Sequence, residues 1–524
     1  MLRGSLAILI LLVTLAGCPG GDGALGDTCR GNGDCDGTLQ CLNSRCVARC
    51  GRAPDCGDGY SCDERGLCQL AIDDVGEPCS SEVDCAPGLA CQIDGAAVDG
   101  NSHLLASCTA QYSARPAGSD CSADSDCRNG TCALGRCVDL CRETRDCGAG
   151  TACVDIPRVA AGGALFAGCL PSEGTLTWSI PVTTPSAEVL LPVPSIARSV
   201  ELVMSIDDPT QKIGAKSVLS PMGARIYTVP CSPLSPTEPC SPTAALDQYF
   251  GSQDATLDGR NKLRHLPATN QSVLLIPSGS AVPIETGDYV VRVSSFRPNG
   301  TDGSAVPRVT AVIQLSTGVT LDLHFFFLDL SDHPCTALDN NAQLNASSAA
   351  SSAVFQGYLD QLHALFARAG LALGPPTFED IVDRPELDGL DVANAGALLA
   401  LGKYATGINV FFVRSLAPIG LQAFGPNPGP AGLAGTPESG IVIGVDTLCY
   451  RDWTALARLT AYESARYMGL YHNVELDTAL HPTWRDPISD SPDTSDNLMY
   501  FSERGGSEIT AGQSAVLSQS AVLR

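Results

Sequence analysis

Between residues 29 and 169 the chain repeats one cysteine pattern five times, and that repeat restricts this part of the sequence to small cross-linked units. The quartets are Cys29, Cys35, Cys41, Cys46; Cys50, Cys56, Cys62, Cys68; Cys79, Cys85, Cys91, Cys108; Cys121, Cys127, Cys132, Cys137; and Cys141, Cys147, Cys153, Cys169. In each, five residues separate the first two cysteines and an aspartate precedes the second: Asp34, Asp55, Asp84, Asp126 and Asp146. A repeat of about twenty residues with few large apolar side chains cannot bury enough surface to fold unaided, so disulfides must stand in for a core. Setting Cys18 aside leaves 24 of the 25 cysteines, an even number suited to full pairing in an oxidising compartment. Cys-x-x-Cys pairs are absent, which argues against zinc as the reason for the clustering.

The repeats resemble the small disulfide modules of exported proteins, loosely the EGF-like and dickkopf-type units. Four cysteines allow three connectivities, and we expect first with third and second with fourth. A string of such modules over 29–170 suggests a stalk. The longer third-to-fourth gaps, 92–107 and 154–168, suggest instead binding loops on a small scaffold.

The start of the chain specifies export. Met1, Leu2 and Arg3 form a short basic start, residues 6–15 are apolar, and Leu15-Ala16-Gly17-Cys18 matches a bacterial lipobox. The apolar run is too short for a membrane span. Resemblance to bacterial lipoproteins implies a signal peptide over 1–17, acylation of Cys18 and anchorage in the bilayer of the cell envelope, with the outer membrane favoured. Residues 18–28 then form a tether.

From 174 to 316 the sequence turns cysteine-poor and strand-like. Runs at 176–181, 187–193, 199–205, 225–229, 272–277 and 289–295, separated by Pro, Gly, Asp and Ser, predict an antiparallel β-sandwich. Cys231 and Cys240 bracket a proline-rich loop and are expected to pair. Residues 318–524 read as an α+β domain: a strand at 320–328, a helix carrying Phe355, Leu359, Leu362 and Phe366 and closed by Gly370, and buried strands at 408–413 and 441–445. Cys335 and Cys449 are expected to bridge within it. The fold class is thus multidomain: disulfide-rich repeats, a sandwich, then the α+β domain.

The chemistry-bearing stretch is Tyr462-Glu463-Ser464-Ala465-Arg466-Tyr467-Met468-Gly469-Leu470-Tyr471-His472. Asp452 is a candidate N-cap, and Leu456, Leu459, Tyr462, Arg466 and Gly469 recur at helical spacing, which puts an arginine on an apolar stripe. A guanidinium cannot ligate a metal, so its burial calls for a carboxylate, and Glu463 or the acidic 486–496 loop is the expected partner. The stretch resembles the His-Glu-x-x-His-x-x-Gly-x-x-His motif of metzincin zinc peptidases. Glu463, Gly469 and His472 stand at the general base, glycine turn and third ligand, whereas Tyr462 and Arg466 occupy the two helical ligand positions. Asp496 to Tyr500 resembles the family's methionine turn, with Met499 at its centre, and residues 509–517 resemble its closing helix. The resemblance implies a degenerate peptidase frame without its zinc.

A formal net charge of -25 excludes nucleic acid as a natural partner. No phosphate-cradling loop and no Ser/His/Asp constellation is evident. Aspartates leave structural calcium open, without an EF-hand pattern. Three functions follow: a lipid-anchored envelope protein whose former cleft takes a protein or peptide ligand; a zinc endopeptidase using Tyr462, His472 and a loop histidine; or an adhesin or sensor working through the cysteine repeats.

Overall fold

The computed structural model describes residues 24–524 except 26–28, 31, 43–44, 52, 57–59, 63–65, 71–74, 87, 113–114, 229–261, 266–268, 280–281, 298–301, 317, 329, 331–334, 336–343, 477–481, 487 and 501–504. The leader, Cys18 and the Cys231/Cys240 loop lie outside the described residues.

All five quartets close first with third and second with fourth, as in Cys29–Cys41 with Cys35–Cys46 and in Cys141–Cys153 with Cys147–Cys169. The geometry explains the choice. The third and fourth cysteines face each other across a hairpin (Cys41 with Cys46, Cys153 with Cys169), and both reach back to the turn that carries the first two. A single 3-10 turn precedes each hairpin. The repeated aspartate holds that turn. Backbone N–H groups of Arg30, Gly51, Ser80, Ser122 and Arg142 donate to Asp34, Asp55, Asp84, Asp126 and Asp146 at 2.7 to 2.9 Å. Each aspartate thus satisfies a donor that such a small unit could not pair otherwise.

Modules three to five do not form the free rod that a stalk requires. The Glu82 N–H donates to the Leu140 carbonyl, and Arg142 pairs with Asp84 of module three at 3.3 Å and also reaches the Cys62 carbonyl of module two at 3.1 Å, so the modules fold against one another. The longer gaps became hairpins, Leu89–Val98 with Leu104–Ala110 and Thr151–Arg158 with Ala164–Pro171. The second of these lies on the domain that follows, where Ser195 and Asp155 exchange bonds at 2.9 and 3.0 Å. One apolar cluster runs from Leu140, Val154, Ile156 and Phe166 into Val189, Leu191 and Val291.

Among the described residues that domain holds eight strands: β1 (Thr175–Ile180), β2 (Ser186–Val193), β3 (Ser199–Ser205), β4 (Lys212–Leu219), β5 (Arg225–Thr228), β6 (Gln271–Ile276), β7 (Gly287–Phe296) and β8 (Arg308–Gln314). They make two antiparallel four-stranded sheets, ordered β1-β8-β3-β6 and β2-β7-β4-β5. Strands β4 and β8 lie outside the strand-like runs evident in the sequence. Lys212, Lys216 and Gly214 break the apolar alternation of β4, and β8 follows a loop whose prolines mask its start.

The C-terminal unit is built on a five-stranded sheet. In chain order its main elements are β9 (Leu323–Leu328), α1 (Ala353–Arg368), β10 (Thr377–Ile381), β11 (Ile408–Val413), β12 (Ala423–Phe424), β13 (Ile441–Gly444), α2 (Trp453–Tyr467) and α3 (Ala511–Leu517). The sheet order is β10-β9-β11-β13-β12, parallel except for β12. Central strands are buried on both faces, as parallel strands must be. Phe325, Phe327, Val410 and Phe412 face α1 and α2, while Phe326, Leu328, Phe411 and Val413 face Leu387, Leu390, Leu398 and Leu399. Cys335 and Cys449 are joined, with Cα atoms 4.7 Å apart.

The two-sheet domain and the C-terminal unit share a core. Leu275 and Val312 belong to the same cluster as Phe412, Tyr462 and Met499. Among the described residues no helix is long and apolar enough to cross a membrane. Disulfides in such number mark a protein of an oxidising, exported compartment.

Candidate functional site

Helix α2 begins at Asp452, whose side chain accepts the Ala455 N–H at 2.9 Å. Leu456, Ala457, Ala461 and Ala465 bury one face against the sheet. The helix stops at Tyr467, and Gly469, at φ +106°, turns the chain in a conformation that side chains rarely adopt. A Cβ at Gly469 would also lie 2.4 Å from Leu275 of β6, so glycine is required twice over. Beyond the turn, His472 returns to the helix and its Nε2 meets the Tyr462 hydroxyl in a short hydrogen bond.

The second helical ligand position joins them. The Arg466 guanidinium stands 5.7 Å from the Tyr462 ring centroid, and its Nη1 donates to Glu463 Oε2 at 3.2 Å. Glu463 is 4% exposed. Burial pushes its carboxyl above the ordinary range, and the Arg466 charge and hydrogen bond pull it partly back. Arg466 is therefore half-buried beside its i-3 carboxylate. A loop lies over this pair: a Cβ on Gly425 would be 3.4 Å from Glu463 Oε2, and Gly429 donates its N–H to the Tyr467 carbonyl at 2.9 Å. With its amide turned to donate, Asn427 bonds the Arg466 and Leu470 carbonyls at 3.1 Å each.

Met499 is fully buried under this arrangement, its N–H given to Asn497 Oδ1 at 2.9 Å and its carbonyl taking the Asn473 N–H at 3.1 Å. Asn497 in turn donates to Gln513 of α3 at 2.9 Å, and Thr510 and Gln513 form that helix's capping box. The methionine segment thus braces the return of the chain at 472–473. Asn473 Nδ2 donates to the carbonyls of Pro492 and Thr494, which ties the acidic 486–496 loop to the same strand of chain.

Zinc does not fit these side chains. Three protein ligands are the usual minimum for a catalytic zinc. Of the three positions that converge, one carries a cation that cannot ligate, and a phenol hydroxyl occupies the ring nitrogen that the imidazole would offer. Among the described residues, the groups of Cys, His, Asp and Glu close enough to share an ion are cysteines of the five quartets, whose sulfurs are bonded in pairs. His481, the loop histidine of the peptidase alternative, lies outside the described residues.

Several residues around the site carried no sequence signal. Arg264 and Glu201 come from the two-sheet domain, each 1% exposed. Glu201 Oε2 accepts the Ala431 N–H at 3.0 Å, and burial raises its pKa to about 8. Arg458 donates to the Gly506 and Leu498 carbonyls and lies 5.8 Å from the Tyr462 ring. Nothing in the local pattern around Glu201 or Arg264 distinguishes them from surface charges of a strand and a loop.

No protein-family model matches the chain, and no curated protein does. Among solved structures the chain is similar to the serine protease of Aeromonas sobria, at 18% identity and TM-score 0.15, over 28% of this chain and 28% of that one. A second similarity is to that serine protease in complex with a chaperone, at 15% identity and TM-score 0.14, over 28% and 27%. The chain thus spans about a quarter of the length of the solved chains it matches. Overlaps at these scores do not define a common fold and bear on no residue of the site.

Proposed function

We propose that the chain is an exported envelope protein, anchored to the bilayer through acylated Cys18, in which residues 318–524 are a metzincin-type peptidase frame turned into a binding module. Its ligand is a protein or peptide held in the former cleft. One observation carries the reading: the three positions at which the motif would place metal ligands converge in space, and they are filled by a Tyr462–His472 hydrogen bond and an Arg466–Glu463 ion pair. Hydrolysis is disfavoured by the same side chains. Without a metal the attacking water keeps its high pKa, and the Glu463 carboxylate that would take its proton is engaged by the Arg466 guanidinium.

The test is to restore the ligands. The full chain carrying Tyr462→His and Arg466→His, with disulfides intact, is dialysed against micromolar zinc, and metal is counted by mass spectrometry. One zinc per chain, lost when His472→Ala is added, is the expected result. Failure of the restored chain to take up zinc would remove the peptidase-frame reading. Stoichiometric zinc on the unaltered chain, lost on His472→Ala, would favour an active peptidase instead.

A further inference from the structure

Residues 262–265 belong to the two-sheet domain. His265 is fully buried there, its Nδ1 donating to the Val273 carbonyl and its Nε2 accepting the Ala215 N–H, each at 3.0 Å. These two hydrogen bonds, to β4 and β6, fix the point from which Arg264 leaves the domain. The Arg264 N–H donates to Ser278 Oγ at 2.9 Å, and its side chain then enters the C-terminal unit. There Nη1 donates to the His472 carbonyl at 3.2 Å, and the guanidinium lies 4.2 Å over the Tyr471 ring. Tyr471 completes the clasp by donating its hydroxyl to the Arg264 carbonyl at 3.4 Å.

Burying an arginine to 1% exposure is costly, and planar stacking, carbonyl acceptors and the nearby Asp486 carboxyl offset that cost only in a fixed geometry. The geometry is spent on residues 471 and 472, which lie between the glycine turn and Asn473 and belong to no helix or strand. Leu470 N–H, bonded to the Ala465 carbonyl, pins the segment on one side, and Asn473 N–H, bonded to the Met499 carbonyl, pins it on the other. Leu275 of β6 fills the space that Gly469 leaves open.

We propose that Arg264 is a positioning residue for His472: the two-sheet domain sets the imidazole against the Tyr462 hydroxyl, and the cleft is incomplete without it. The proposal rests on the reading above only in treating His472 as part of a binding site; the clasp itself does not depend on that reading.

The experiment uses the full, disulfide-bonded chain with 15N-labelled histidine at one fixed pH. The chain has seven histidines, and His472→Ala assigns the line of interest. Arg264→Met is expected to change the ratio of the two His472 ring tautomers about twofold or more, with the lines of His324 and His363 unmoved. Arg264→Lys, which keeps a cation and a donor, recovers part of the change. Should Arg264→Met fail to fold, Tyr471→Leu removes the stacking face without touching the buried charge and is expected to shift the same line in the same direction. An unchanged His472 line in either folded variant overturns the proposal. Zinc uptake by the restored chain without that shift removes this proposal alone, and a shift without zinc uptake removes the peptidase frame alone.

Discussion

The first module and the C-terminal unit solve the same problem by opposite means. The interior of the first module is Cys29, Cys35 and Cys46 with Leu39 and Cys41 against them, so its core consists largely of its own cross-links. The C-terminal unit has one described disulfide and a continuous interior in which Phe412 alone lies within 5.5 to 6.1 Å of the rings of Phe327, Phe325, Phe355 and Tyr358. A stapled unit has its geometry written in cysteine spacing, and all five modules keep the same pairing whether or not they share an interior with a neighbour. A packed unit has no such local record, and its functional geometry is open to contacts from any neighbour, as Arg264 demonstrates.

The difference is sharpest if the packed side is opened. Phe412→Ala removes one of the rings that join the sheet to α1, and α1 is tied to α2 through Tyr358 and Thr460 at 2.8 Å. A loss of about 3–5 kcal/mol is expected for a buried aromatic truncated to alanine. Calorimetry should show the transition of the C-terminal unit falling, with that of the two-sheet domain drawn down because the core is shared. Limited proteolysis should leave modules one and two unaffected. If those modules became cleavable as well, the independence of the stapled half would be lost.

The reverse experiment breaks one staple. Cys35→Ser with Cys46→Ser removes the second disulfide of module one, and about 2–5 kcal/mol is expected from such a loss in a small domain. That exceeds what its few apolar contacts can hold, so the module should unfold while the calorimetric transitions of the rest stay in place. The equivalent change at Cys147 and Cys169 should behave differently, since Phe166, Val154 and Leu170 of that module are part of the sheet domain's interior. A module-five variant that unfolds alone would show that the shared interior contributes little.

What was legible in the sequence follows the same division. Cysteine spacing and the preceding aspartate revealed the modules, because covalent geometry and a turn cap are both local. Helix α2 was legible through Asp452 and the helical recurrence up to Gly469, and β3 and β11 through apolar runs in which Glu201 and Asn409 are the interior polar residues. The pairing of Arg466 with Glu463 could be anticipated because both sit on one helix three residues apart. The docking of modules three to five was not legible, since residues 92–107 and 154–168 read as variable loops and only their pairing shows them as hairpins. Glu201 and Arg264 were invisible for a stronger reason. A buried charge is recognised by what surrounds it, and their surroundings come from residues 431 and 471–472, more than two hundred positions away.

Acid offers the finest separation of the two halves. His265 is neutral in the folded chain because burial opposes its charge and because Nε2 must accept the Ala215 N–H, and its pKa is lowered from 6.5 to about 4. The unfolded chain takes up a proton at its ordinary pKa while the folded chain does not, so the stability from the neutral ring is complete above about pH 6.5. It is lost as the pH falls from there toward 4, by about 3 kcal/mol in total. Glu201 works the other way. Its raised pKa of about 8 gives stability that is complete below the ordinary glutamate range and is lost as the pH rises toward 8. Denaturant titrations of the unaltered chain would therefore mix the two, but the difference between that chain and His265→Gln cancels the acids, which titrate in both. The difference should favour the histidine form near neutral pH and shrink between pH 6.5 and 4. Over that range module four should hold, because the Ser122 and Ala123 N–H groups keep Asp126 charged below the usual carboxylate pKa. A pH-independent difference would mean that His265 is as readily protonated in the folded chain as in the unfolded one, and the anchor from which Arg264 departs would then not be the rigid point its two hydrogen bonds describe.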